Sequence, residues 1–405
     1  MSLQISRLAL FLTLMVPLVS GCGAHSGNAQ TAVGSAAPVP ENVPLPQATP
    51  DRTARAAAYE PAPGATVTLI GVGDIMIGTD FPQDFLNPAI RPGTRADDLL
   101  EPGLLALLRR ADVAFGNLEG TLFDGTGPHK TCGNPANCYV FRSPEFYAEI
   151  LADAGFTMMS LANNHSGDFL AGGRAATRAA LERAGIAYAG LDEPGARTGT
   201  VTLDDGTRVG LVAFAPNAGT LQLNDHGRAE SLVRGLAADH DIVVVSFHGG
   251  AEGGTATRVP RQTEIFLGEN RGDVFAFSRR MIDAGADVVL GHGPHVPRAV
   301  EVYQGRFIAY SLGNFWTYAR MNIRGLGGVG PVVELELAPD GRLVAGRIHG
   351  TRQHDGGVPR LDPGNEAAAV IAELTARDFP EVPLTIGRDG ALSGPGLSGG
   401  SIAER

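Results

Sequence analysis

Five times along this chain an apolar run of strand character stops on a side chain able to ligate a metal. Leu69-Ile-Gly-Val-Gly ends in Asp74, and Val113-Ala-Phe-Gly ends in Asn117-Leu-Glu119. The run from Thr157 to Ala162 ends in Asn163-Asn164-His165, Ile242-Val-Val-Val-Ser-Phe ends in His248, and Val288-Val-Leu-Gly ends in His292-Gly-Pro-His295. Short aliphatic runs bounded by Gly, Pro or Asn read as strands. In an open α/β sheet ligands bind beyond the carboxyl ends of the strands, so five polar tips on five strands point to one shared site. One such tip is easily a coincidence; the recurrence is what constrains the fold.

The N-terminus stands apart from that pattern. Arg7 precedes an apolar stretch, Leu8 to Val19, too short to span a bilayer and of the right length for a signal-peptide core. It ends in Val19-Ser-Gly-Cys22, which resembles the lipobox of bacterial lipoproteins. That resemblance implies residues 1–21 as a removed signal peptide, Cys22 as the lipidated first residue, and an extracytoplasmic protein held on a membrane. Gly23, rather than Asp, after the cysteine leans toward an outer membrane or cell surface. Residues 22–64 are rich in Ala, Pro, Gly, Ser and Thr and read as a disordered tether, and the Gly- and Ser-rich residues 387–405 as a flexible tail. With Cys22 taken by lipid, Cys132 and Cys138 remain in a Gly/Pro/Asn loop, and an oxidising compartment favours a disulfide between them over a metal pair. The net charge is −11 with no Lys/Arg cluster, which excludes nucleic acid as the main partner.

Between tether and tail the elements alternate. A helix is expected near Leu99 to Arg110, and another opening at Ser143-Pro144-Glu145, with Ser as N-cap and Pro at the first helical position. An Ala-rich helix covers Gly173 to Ala184, and Asp204-Asp-Gly206 turns a hairpin between Thr200–Leu203 and Arg208–Phe214. Helices from about Glu230 to Ala238 and ending at Asp283 precede the fourth and fifth tips. A second hairpin, Ala299–Tyr303 with Phe307–Leu312, runs into Gly313-Asn314-Phe315, and Val332–Leu337 pairs with Leu343–Ile348. Helices flanking mixed sheets give an α/β sandwich with antiparallel additions, residues 65–320 forming the main body and 321–386 completing it.

Asp74, Glu119, Asn164, His248, His292 and His295 offer carboxylate, amide and imidazole ligands and no thiolate, a set suited to Mn, Fe or Zn. Six ligands exceed a mononuclear catalytic site, so two divalent ions roughly 3.5–4 Å apart are the economical arrangement. Such a pair would acidify a water near neutral pH and clamp the oxygens of a displaced phosphoryl group. His165, next to a ligand Asn, is then free to protonate a leaving group. Each residue also has an ordinary reading: Asp74 as a helix cap, Asn163 and Asn164 as turn formers, Glu119 as a loop acid, His248 as a core-edge histidine. The five strand ends jointly favour the metal. Neither Gly71-Val-Gly73 nor the glycines of 325–330 carry the Lys and Ser/Thr of a phosphate loop, and no G-x-S-x-G occurs, which disfavours serine-hydrolase chemistry.

In G-D-I-M at Asp74, G-N-L-E at Glu119, S-L-A-N-N-H at His165, G-A-D-V-V-L-G-H-G-P-H-V at His295 and Y-S-L-G-N-F at Asn314, the chain resembles the poly-γ-glutamate capsule biosynthesis CapA family, whose domain is similar to calcineurin-like metallophosphoesterases. The resemblance covers about Thr66 to Thr317. It implies a four-layer αββα sandwich, the six ligands named above on two metals, His165 as general acid, and Asn117, Asn163 and Asn314 as supports. Glu252 and Arg298 would lie toward substrate, Arg298 meeting an anion. Three departures stand out: Met76 where many metallophosphoesterases have His, His248-Gly-Gly-Ala-Glu252 where the family often has H-W-G-x-E-Y, and Gly293 where some relatives have another His. Two functions follow as expectations. One is a lipid-anchored hydrolase acting on a phosphoester or related bond of cell-envelope polymer. The other is a non-catalytic, metal-containing component that binds an anionic polymer or serves a capsule export machinery.

Overall fold

The computed structural model describes residues 66–132 and 138–397. The expectations at Cys22, in the signal peptide and in the tether fall outside these residues. Counting only strands of the two main sheets, the chain runs β1 (Val67–Met76), α1 (Pro102–Arg110), β2 (Val113–Leu118), α2 (Tyr147–Ala154), β3 (Met158–Ser160), α3 (Leu170–Ala184), β4 (Ala187–Ala189), β5 (Thr198–Thr202) and β6 (Arg208–Phe214). It continues with α4 (His226–Asp239), β7 (Ile242–His248), α5 (Val274–Asp283), β8 (Val288–His292), β9 (Val300–Tyr303), β10 (Arg306–Ala309), β11 (Asn314–Thr317), β12 (Val329–Leu337), β13 (Leu343–His354), β14 (Val358–Leu361) and α6 (Glu366–Asp378).

The first sheet has eight strands in the order β14-β13-β12-β1-β2-β3-β4, with β11 also paired to β1; the second has six, β9-β10-β8-β7-β6-β5. β1 to β4 run parallel and β12 enters antiparallel beside β1. In the second sheet β6, β7, β8 and β10 are parallel, with antiparallel β5 and β9 at the edges. Parallel strands covered on both faces read as continuous apolar runs, which is why the tips were so visible. Alternate residues then serve different cores: Val67 and Leu69 of β1 meet Ile242 and Val244 of β7 between the sheets. Ile70 and Val72 turn outward under α1, α2 and α3, while Val243, Val245 and Phe247 turn outward under α4 and α5. The result is the expected αββα sandwich. Helix α6 closes its open side, with Ala367, Ala368 and Ile371 in the inter-sheet core and the Thr375 hydroxyl accepting from Val300 N–H at 3.0 Å, so the edge strand β9 is covered.

Two local expectations are corrected. Ser143 does not cap a helix: its hydroxyl donates to Gly78 O at 2.6 Å, Pro144 to Phe146 form a turn, and α2 begins at Tyr147. Asp225 and Asp273 are the side chains that do cap, accepting from the backbone of Arg228 and Ala276 at the starts of α4 and α5. Residues 387–397 are not a loose tail, because Leu392 is an apolar anchor in the inter-sheet core and Ile348 N–H donates to Gly390 O at 2.9 Å. Cys132 and Cys138 are joined by the expected disulfide.

After the β9–β10 hairpin the chain crosses from the second sheet to the first, passing tightly over β1. A Cβ on Gly73 would lie 2.1 Å from Gly313 O and 2.5 Å from Leu312 O, both backbone atoms. Gly73 is therefore a close-approach glycine, not part of a phosphate loop. Gly73→Ala is expected to cost about 3 kcal/mol by overpacking against a backbone that cannot yield, read as a lower urea midpoint with unchanged slope.

Candidate metal centre

The five tips belong to two sheets: β1, β2 and β3 supply three from the first, and β7 and β8 supply two from the second. Asp74 sits at a register shift of β1, paired with Asn117 on one side and Asn314 on the other. Its buried carboxylate accepts from Asn117 Nδ2 at 2.9 Å and from His295 Nδ1 at 2.9 Å. Asn117 is fixed in turn by Asn163, whose Nδ2 donates to Asn117 Oδ1 at 3.2 Å and to Leu118 O at 2.9 Å. A line of amides thus runs from the end of β3 to the carboxylate of β1.

Glu119, just beyond β2, is fully buried, and among the described residues neither carboxylate oxygen has a hydrogen-bond partner. His248 Nε2 lies 3.9 Å from Glu119 Oε1 and is also bare, while its Nδ1 is 3.5 Å from Asn117 Nδ2. Asp74, Glu119 and His248 offer ligand atoms all within 4.8 Å of one another, and His295 Nε2 is 3.7 Å from Glu119 Oε1. Buried polar atoms are almost always satisfied. A buried carboxylate with two bare oxygens facing a bare imidazole nitrogen fits a divalent cation, and so does this donor set.

The electrostatics agree with that fit. Burial raises Glu119 well above the ordinary carboxylate range, the neighbouring Asp74 and Glu252 adding to the shift against the opposing charge of His295. Burial works the same way on Asp74, but the hydrogen bond and charge of His295 outweigh it and hold this acid below its usual value. His295 is pushed up to about 10, burial being overcome by Glu119 and Asp74. His248 is pushed well below its usual value, first by burial and then by the charge of Arg271. Without a metal these shifts favour a protonated His295 between Asp74 and Glu119, beside a neutral His248.

His295 reaches Asp74 from a left-handed backbone, φ +60°, a conformation that non-glycine residues seldom adopt and that concentrates at functional sites. His292 does not join the group. Its Nε2 is 3.1 Å from Val72 O and its Nδ1 is 3.4 Å from Ser246 Oγ, so both ring nitrogens are engaged beneath the site. Asn164 brings a buried Oδ1 with no hydrogen-bond partner among the described residues, while its backbone O accepts from Lys130 Nζ at 3.1 Å. Asn314, paired with Asp74 across the strands, donates from Nδ2 to Gly327 O at 3.0 Å, and its Oδ1 has no hydrogen-bond partner among the described residues. Met76 is buried, and its thioether replaces the imidazole that metallophosphoesterases often carry there. At Gly293 (φ +115°) a Cβ would lie 2.6 Å from Gly249 O, so the tight turn leaves no room for a side chain.

His165 is oriented by a residue that sequence reasoning missed. Its Nδ1 lies 2.8 Å from Asp168 Oδ2 and its ring stacks on Phe141 at 4.2 Å. Asp168 also receives Phe141 N–H at 2.6 Å and pairs with Lys130 Nζ at 2.6 Å. The His165-x-x-Asp168 spacing, in the turn after β3, was the available signal. Burial lowers His165 below its ordinary value although Asp168 opposes the shift. Arg298 does not face substrate: fully buried, it holds Glu264 with both Nη atoms at 2.8 Å and Ala256 O with Nε at 2.7 Å. Glu252 lies at the rim, its Oε2 4.0 Å from His295 Nε2.

The sequence pattern of the bacterial capsule synthesis protein PGA_cap family matches residues 68–319. The chain belongs to that family. It is 30% identical over 285 residues to the capsule biosynthesis protein CapA of Bacillus anthracis, covering 65% of this chain and 63% of that one. It is 31% identical over 191 residues to the PGA biosynthesis protein CapA of Bacillus subtilis, covering 42% and 47%. The chain thus spans less than two thirds of the length of these relatives. Among solved structures, a 5'-nucleotidase precursor from Thermus thermophilus aligns with a TM-score of 0.38 at 16% identity, over 71% of this chain and 54% of that one. The capsule synthesis match contains every strand tip from Asp74 to His295 and ends in the loop after β11; β12 to β14 and α6 lie beyond it.

Proposed function

We propose that this capsule synthesis family member is a lipid-anchored envelope protein acting in biosynthesis or export of a poly-γ-glutamate-type polymer, with a two-metal, phosphoesterase-like hydrolytic centre. The observation that carries this reading is Glu119, buried with both oxygens bare against the bare Nε2 of His248. Asp74, Glu119, His248 and His295, with Asn164 Oδ1, would hold the ions, for which Mn, Fe and Zn suit the donors. Bound there, the ions would supply positive charge for phosphoryl oxygens and lower the pKa of a water. The chain's own residues do the rest. Asn163 and Asn117 fix the Asp74 carboxylate, and Asp168 holds His165 Nδ1, so that Nε2 is the nitrogen left to give a proton to a leaving-group oxygen. The anchor rests on Val19-Ser-Gly-Cys22, and the substrate is a phosphoester or an anionic envelope polymer.

The test is hydrolysis of a generic phosphomonoester and phosphodiester by the full chain with Mn or Zn. Metal-dependent turnover supports the reading; bound metal without turnover on either ester replaces it with a non-catalytic polymer-handling role.

Metal uptake is also expected to release protons. A ligand must be deprotonated to bind, and His295, raised to about 10, carries its proton at neutral pH in the metal-free protein. Affinity should therefore climb with pH throughout the range below 10. Calorimetry in two buffers of different ionisation enthalpy should show at least one proton released per chain near pH 7.5.

A further inference from the structure

Arg271, a cation beside the centre, takes no part in the chemistry above. It follows the short hairpin formed by Ile265–Phe266 and Glu269–Asn270, and its side chain is 1% exposed. Backbone and side chain lock it to the turn after His248: Gly250 N–H donates to Arg271 O at 2.9 Å, and Arg271 Nε donates to Gly250 O at 3.1 Å. Among the described residues the buried Nη2 has no hydrogen bond. Nη2 is ion-paired with Glu252 Oε1 at 2.9 Å, and Nη1 lies 3.6 Å from the exposed Glu269. The other oxygen of Glu252 is 4.0 Å from His295 Nε2, which is itself 3.7 Å from Glu119. Nη2 also lies 3.2 Å from where a Cβ on Gly293 would stand, so the guanidinium sits between the His248 turn and the His292–His295 turn.

A purely structural arginine looks different. Arg298, in the same loop system, satisfies both Nη atoms and Nε on Glu264 and two carbonyls. A buried guanidinium whose Nη2 is held by the Glu252 ion pair alone, without a hydrogen bond, is costly unless that arm has another use, and the planar fork is the group best matched to an oxyanion. Glu252 is placed to compete for it. Its side chain is partly exposed, on the stretch Gly249-Gly-Ala-Glu-Gly-Gly254, where Gly250 and Gly253 have positive φ.

We propose that Arg271 is the specificity-determining residue of this site, binding an oxyanion of the substrate beside the metal centre, and that Glu252 is a built-in competitor displaced when the anion arrives. The inference rests on the hydrolytic reading for where substrate lies. The oxyanion is a phosphate or a polymer carboxylate, and two probes separate them.

The experiment is calorimetric binding of inorganic phosphate, and in parallel of glutarate, to the full chain, with metal content measured on the same samples. Arg271→Lys should weaken binding of the recognised anion by 10-fold or more, and Glu252→Gln should tighten it several-fold, both with metal content unchanged. Response of phosphate alone assigns a phosphoester, and of glutarate alone a carboxylate. Unchanged or weaker binding in Glu252→Gln, wild-type binding in Arg271→Lys, or no binding of either anion to the wild type overturns the proposal. Absence of metal would instead count against the hydrolytic reading, and the Glu252→Gln comparison stays readable in metal-free protein. Glu252 is partly exposed, so this variant keeps the test valid if Arg271→Lys fails to fold.

Discussion

Glu119→Gln is expected to stabilise the metal-free protein and destabilise the metal-loaded one. Burial holds the Glu119 pKa well above its ordinary value. Between the unfolded pKa, about 4.3, and the raised folded one, the unfolded chain loses its proton and the folded chain keeps it. Stability therefore falls as pH rises through that window. Glutamine removes the ionisable group, so at pH 8 in chelator the variant should exceed wild type by about 1–3 kcal/mol, the scale of one unsatisfied buried polar group. The advantage should shrink as pH approaches 4. Saturating divalent metal reverses the order, because the variant loses the linkage stabilisation of the site Glu119 helps to form, about 4.1 kcal/mol at a thousandfold excess over Kd. Melting curves in chelator and in Mn provide the check. The same rank order in both would mean that Glu119 is not a ligand.

His165→Ala should lower kcat by about 10² to 10⁴, the range for a lost general acid, while the metal content stays at the wild-type level. The loss should be smaller for an ester whose leaving group needs no proton. A general acid works only while protonated, so activity should fall as pH rises through the His165 pKa, which burial places below the ordinary histidine value. Asp168 opposes that shift, so Asp168→Asn should move the alkaline limb to still lower pH. An equal loss on good and poor leaving groups would show that His165 positions rather than protonates.

The strand tips were legible because parallel strands buried on both faces print as unbroken apolar runs, and a carboxylate or imidazole at the end of such a run stands out. Their division between two sheets was not legible, since periodicity identifies a strand without naming its neighbours. His292 and His295 show the same limit three residues apart. Both read as ligands, yet the left-handed backbone at His295 aims one ring at Asp74 while His292 closes on Val72 O. Arg298 and Arg271 were equally opaque: one is hydrogen-bonded through both Nη atoms to Glu264 and the other has a nitrogen ion-paired to Glu252 without a hydrogen bond, a distinction set by tertiary partners alone. Ser143-Pro144-Glu145 carried a sound capping signal that lost to a long-range bond from the Ser143 hydroxyl to Gly78 O.

The central claim is that strand ends from two sheets build one divalent-metal site. Elemental analysis of the full chain, equilibrated with Mn or Zn and desalted, tests it most directly. Two equivalents in wild type, falling to one or fewer in Glu119→Gln and in His248→Ala, is the predicted result. Wild type holding no more than a trace of either metal would contradict it.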